Sequence, residues 1–118
     1  MRVLVCGGRD YTSCATLFAI LDQVHRLKPV TCIIAGEAHG ADTLARHWAQ
    51  SRGVAFEGYP ADWQKHGKSA GYIRNKQMLT EGCPDKVIAF PGGRGTADMV
   101  RQARKAGLRC LDVPKEGR

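Results

Sequence analysis

Lys86-Val87-Ile88-Ala89-Phe90-Pro91-Gly92-Gly93-Arg94-Gly95-Thr96 begins as an apolar, partly β-branched run, stops at a proline and two glycines, and continues into a helix-forming segment. A run this short, without polar alternation, reads as a strand buried on both faces. The helix behind it is predicted from Gly95 or Thr96 to Ala106, with Val100 and Ala103 inward and Gly107 past its end. The same grammar repeats outward along the chain. Arg2–Cys6 ends in Gly7-Gly8, Val30–Ala35 stops at Gly36, Val54–Gly58 is a weaker third strand, and Leu108–Val113 is the fifth. Leu17, Ile20, Leu21, Val24 and Leu27 share one helical face over Thr12–Lys28, with Thr12 or Ser13 as the expected cap. Ala41, Leu44, Ala45 and Trp48 mark a second helix that Gly53 ends, and a third covers Ala70–Glu81 before the Gly82-Cys83-Pro84 break. Tyr59–Ser69 is polar and reads as irregular.

Strands alternating with helices predict an α/β fold: a doubly wound parallel sheet of about five strands with helices on both faces. One domain is expected over residues 1–113, followed by a polar tail over 114–118. The 118 residues suit one hydrophobic core, and 43% hydrophobic with 25% charged residues excludes wholesale disorder. Lysines and arginines number 18 against 11 acids, a net charge of +7 that favours phosphates, nucleotides or nucleic acid without choosing among them. No apolar run approaches the roughly 20 residues of a membrane span. The start, Met1-Arg2-Val3-Leu4-Val5, reads as a strand rather than a signal peptide. The five cysteines, Cys6, Cys14, Cys32, Cys83 and Cys110, form no C-x-x-C. Cys6, Cys32 and Cys110 read as buried reduced thiols, so the cytoplasm is the expected compartment.

A doubly wound sheet takes its ligand outside the carboxyl ends of the strands, where strand order reverses. That rule selects four segments. Pro91-Gly92-Gly93-Arg94-Gly95-Thr96 enters a helix whose first N–H groups and dipole suit a phosphate, with Thr96 as a cap or phosphate donor and Arg94 adding charge. A tight turn with a helix cap is the plainer alternative. The segment lacks the lysine of a Walker loop and the spacing of a dinucleotide fingerprint. In Gly7-Gly8-Arg9-Asp10, Arg9 can hold a phosphate and Asp10 a ribose hydroxyl, or the two can form a surface pair. In Gly36-Glu37-Ala38-His39-Gly40-Ala41-Asp42, Glu37 is the acid nearest the strand end, able to bind ribose or act as a base. Asp42 there suits the helix dipole, and His39 reads as exposed. His25 and His47 are placed on helices without partners, and no metal or cofactor is assigned. Along Ala61–Asn75, basic residues interleave with Trp63, and Arg74 and Asn75 come early enough in a helix to reach the crevice; the loop before them reads as a lid or as solvated edge.

Taken together, these segments resemble the SLOG superfamily, the Rossmann-like group named after the SMF/DprA and LOG proteins, and within it the small YspA/cpYpsA-related branch. The resemblance runs from Arg2 to about Val113 and is carried by Gly7-Gly8-Arg9-Asp10, Gly36–Asp42, Gly67–Asn75 and Phe90–Met99, with Tyr72 where a proline is expected. It implies a Rossmann-like fold that binds nucleotides or nucleotide-derived ligands. LOG relatives cleave the N-glycosidic bond of nucleoside monophosphates and carry Pro-Gly-Gly-x-Gly-Thr-x-x-Glu. Here Met99 stands in place of that glutamate, and a thioether neither accepts a proton nor stabilises an oxocarbenium charge. Asp98 is one position out of register, about 100° around the helix.

The leading expectation is a binding module for a phosphoribosyl-containing ligand, with a phosphate on the N–H groups of Gly93–Thr96 faced by Arg9 and Arg74. Gly7, Gly8, Asp10, Gly36, Glu37, Asn75 and Gly92 complete the expected site. The alternatives are a LOG-like hydrolase using Glu37, and a DprA-like single-strand binder stacking bases on Trp63 and Tyr72. A homo-oligomer is implied by the resemblance alone.

Overall fold

A computed structural model describes residues 1–115; the last part of the expected polar tail, 116–118, lies outside the described residues. Five strands form one sheet: β1 (Arg2–Cys6), β2 (Cys32–Gly36), β3 (Ala55–Tyr59), β4 (Lys86–Ala89) and β5 (Arg109–Asp112). Every neighbouring pair is parallel, and the order is β3-β2-β1-β4-β5. The chain winds outward from β1 to β3, returns across the sheet, and winds outward again from β4. Strand order therefore reverses between β1 and β4, the arrangement of a Rossmann-like doubly wound sheet.

The helices are α1 (Cys14–Leu27), α2 (Ala41–Arg52), the single-turn α3 (Trp63–His66), α4 (Ala70–Gly82) and α5 (Arg94–Lys105). Side chains alternate across each strand, so one strand feeds two cores. Val3, Val5 and Ile33 pack with Leu17, Leu21 and Trp48 beneath α1 and α2. Leu4, Cys6 and Ile34 pack with Met78, Met99 and Ala103 beneath α4 and α5. Both faces of β1, β2 and β4 are thus sealed by helices, which is why these strands are continuous apolar runs rather than alternating ones.

Several local expectations are corrected. Strand β2 starts at Cys32 rather than Val30, because pairing with β1 begins opposite Arg2. Ser13 does occupy the N-cap position of α1, but its side chain makes no capping hydrogen bond; its carbonyl accepts the Leu17 N–H instead. Helix α5 starts at Arg94 with Gly93 at its cap position, so Thr96 lies inside the first turn and is not the cap. Tyr59–Ser69 is not irregular throughout. The Asp62 side chain accepts the Lys65 N–H at 3.0 Å and caps α3, and Gly67–Ser69 adds a 3₁₀ turn that leads into α4. His25 has partners: its Nδ1 accepts the Val30 N–H at 2.9 Å, and its ring meets Trp48 edge-on. All five cysteines are free; Cys6 and Cys32 are buried, while Cys110 is only half-buried on the edge strand β5.

Candidate functional site

The loops leaving β1, β2 and β4 meet at the carboxyl edge of the sheet, and hydrogen bonds tie them together. The Gly8 N–H donates to the Pro91 carbonyl at 2.9 Å, and the Gly8 carbonyl accepts the N–H groups of Tyr11 and Ala41, each at 3.2 Å. Most of the glycines in these three loops serve this closeness. A Cβ at Gly36 would sit 2.1 Å from Arg74 Nη1 and 2.7 Å from Asp42 Oδ2, and one at Gly92 would sit 2.2 Å from Thr96 Oγ1. Gly40 also requires its positive φ of 76°. Gly93 and Gly95 differ: a Cβ on either would meet nothing within 4 Å. Of this loop's three glycines, these two leave open space beside the chain.

Beneath the loops lies a narrow cavity of about 70 Å³ whose walls include Arg9, Asp42, Arg74, Asn75, Gly95 and Thr96. Arg9, Ala38 and Arg74 also line a neighbouring open vestibule of about 340 Å³, with Glu37, His39, Pro60 and Trp63. The structure therefore brings Arg9, Arg74 and the start of α5 together. It does not bring in every expected residue. Asp10 and Gly93 line a neighbouring groove of about 470 Å³, which shares Arg9 with the crevice, and Arg94 is exposed and lines neither cavity of the crevice. Another groove, about 570 Å³, lies along α5 and β5. Its arginines, Arg101 and Arg104, already pair with Asp98 and Asp112, so the crevice holds the less satisfied charge.

Arg74 is held from two sides: Nη1 donates to the Tyr59 carbonyl at 3.1 Å and Nε to Asn75 Oδ1 at 3.3 Å. Burial pushes its guanidinium below the ordinary arginine value, against the pull of Asp42. Asn75 is buried and fully engaged, because its Nδ2 also donates to the Gly95 carbonyl at 3.0 Å and to Asp98 Oδ2 at 3.1 Å. It fastens α4 to the first turn of α5 and orients Arg74. Arg9 makes no surface pair with Asp10 among the described residues; its guanidinium lies over the Trp63 ring, 5.5 Å from the centroid. Glu37 is exposed at the vestibule, its carboxylate over Gly58. Met99 is fully buried in the lower core and lines none of these cavities.

Sequence reasoning assigned Asp42 to the helix dipole and missed its place in the cavity. Asp42 is 7% exposed, and burial raises its carboxyl to about 6 despite the Ala38 N–H at 3.2 Å and the nearby Arg74 and Arg9. The available signal was an acid two residues into a helix that follows a strand-ending glycine loop. Among the described residues no group of three or more His, Cys, Asp or Glu could hold a metal ion, and no helix is long and apolar enough to cross a membrane.

Comparison with known proteins bears on the whole chain. The chain is 39% identical over 119 residues to the Gene 61 protein of Mycobacterium phage D29, covering 94% of each. No solved structure matches it significantly. The family model YAcAr, described as the YspA, cpYpsA-related SLOG family, matches residues 1–66, the half that contains β1, β2, Arg9 and Asp42. The chain belongs to the YspA, cpYpsA-related SLOG family.

Proposed function

We propose that this protein binds a phosphate-bearing, nucleotide-like small molecule in the crevice between the β1, β2 and β4 loops. One observation carries the reading: Arg9, Arg74 and the opening turn of α5 line a single cavity where strand order reverses. The first N–H groups of α5 have no partner within the helix, so they and the two guanidiniums form a donor set suited to an oxyanion. Gly95 gives that anion a close approach. The nucleotide character of the ligand rests on the likeness to SLOG relatives, and the vestibule beside Trp63, Glu37 and His39 has room for the part beyond the phosphate. A LOG-like hydrolysis has less support, since position 99 is a buried methionine in the core.

The test is calorimetric titration of inorganic phosphate and a nucleoside monophosphate into wild type, Arg74→Ala and Gly95→Val, each checked for folding by thermal melting. Arg74→Ala removes a charge-assisted contact of about 1.5–3 kcal/mol, a loss of roughly tenfold to hundredfold in affinity. Gly95→Val should bind more weakly by steric exclusion while remaining folded. Equal affinity in all three proteins places the anion elsewhere.

A further inference from the structure

Building on that reading of the crevice, we propose that Asp42 is its ligand-reading acid: in the bound state it is protonated and donates its hydrogen to the oxyanion held by Arg9, Arg74 and the start of α5. The site then takes up one proton from solvent with each anion, and the only covalent bond formed is the O–H of the Asp42 carboxyl.

The geometry comes first. Asp42 shares the narrow cavity with both arginines, Gly95 and Thr96, and the cavity's small size keeps an anion there close to the carboxyl. One carboxyl oxygen accepts the Ala38 N–H. The other has no donor among the described residues and is not sealed away, so it opens onto the cavity. No direct ion pair joins Asp42 to Arg74 or Arg9 among the described residues, so neither arginine is neutralised by contact. A carboxylate in this place would repel an incoming oxyanion; a carboxylic acid would donate to it.

The groups facing Asp42 allow the change. Strand β1 presents Cys6, whose thiol burial pushes well up and keeps neutral. The β1–α1 loop presents Arg9, and α4 presents Arg74. Helix α5 presents Gly95 and Thr96, which do not titrate, and Glu37 and His39 of Asp42's own loop line the vestibule outside. With the carboxyl already raised to about 6 by burial, protonating it at pH 7 costs a factor of about ten. A second negative charge at contact distance costs on the order of a hundredfold or more at the effective dielectric of a protein surface, so protonation is the cheaper course.

Sulfate is the probe, because it exchanges no proton near neutrality and any uptake belongs to the protein. It is titrated calorimetrically between pH 5.5 and 8 in buffers of different ionisation enthalpy, into wild type, Asp42→Asn and, as a control at an exposed acid outside the crevice, Glu81→Gln. Wild type and Glu81→Gln should take up about one proton per sulfate at pH 7 to 8 and lose about tenfold in affinity per pH unit there. Asp42→Asn, which keeps a neutral donor, should bind at pH 8 without uptake. The NMR shift of the Asp42 carboxyl carbon in wild type should move to the protonated position when sulfate is added, a readout that does not depend on the variant folding. Binding to wild type without proton uptake, or uptake that persists in Asp42→Asn, overturns the role of Asp42 and leaves the anion site standing. No binding of sulfate or phosphate at any pH overturns the crevice reading and this proposal together.

Discussion

At Asp42 burial lifts the carboxyl from the ordinary aspartate range to about 6, and the shift has a sign for stability. The folded protein holds that proton more tightly than the unfolded chain does. Stability therefore falls as pH rises from about 4 through about 6, and above that range the buried carboxylate costs the fold about 3 kcal/mol. Asp42→Asn should melt higher than wild type at pH 7.5 and should lose that advantage near pH 4, since asparagine still accepts the Ala38 N–H. Thermal melts of both proteins across that range check it; parallel pH profiles would show that Asp42 is not strained by its charge. A carboxylate kept at such a cost, in a cavity between two arginines, fits a site tuned for binding rather than for stability. Which residues line this site was only partly legible in the sequence. The rule that ligands bind at strand ends points to Arg9 and Arg74, and both line the cavity. Asp42 is not legible there, because its sequence position explains it equally well as a partner of the α2 dipole; its bond from the Ala38 N–H and the packing of Gly36 against it and Arg74 show where its side chain lies.

Helices α4 and α5 meet through Asn75, which spends both amide hydrogens and its oxygen on Gly95, Asp98 and Arg74. Asn75→Ala leaves a buried carboxylate and a backbone carbonyl short of donors, a cost of about 1–3 kcal/mol. Because the same change frees the first turn of α5 and one side of Arg74, anion affinity should drop with stability. Urea unfolding and phosphate titration on the variant measure the two effects; unchanged stability would mean that the latch carries no weight. Such a contact joins residues 20 and 23 positions apart, and neither partner has a periodicity that announces the other. The strands were legible for the opposite reason. A parallel strand sealed on both faces must be a continuous apolar run, and a glycine ends β2 while glycines follow β1 and β4 where the loops crowd together. Helix α3 escaped because one turn is too short to show a helical period.

The strand order β3-β2-β1-β4-β5 gathers the three loops at one edge, while the charge of +7 is spread over the whole surface. Four of the 18 cations pair with acids among the described residues. Arg2 pairs with Glu57, Arg52 with Asp22, Arg101 with Asp98 and Arg104 with Asp112. A protein that tracks a single strand needs a basic groove interleaved with aromatic faces free to stack on bases. Here Arg9 lies over Trp63 and Arg46 over Phe56, while Tyr72 stands exposed on α4. This distribution suits the drawing of a small anion toward a crevice better than the holding of a polymer. Affinity for generic single-stranded DNA at physiological salt should therefore be weak, on the order of 10⁻⁴ M or poorer. Fluorescence anisotropy with a labelled oligonucleotide, repeated at low and high salt, measures it. Submicromolar binding that tolerates sequence and weakens steeply with salt would make nucleic acid the partner. If Arg74→Ala left such binding intact, the crevice would then be separate from the surface that holds the strand.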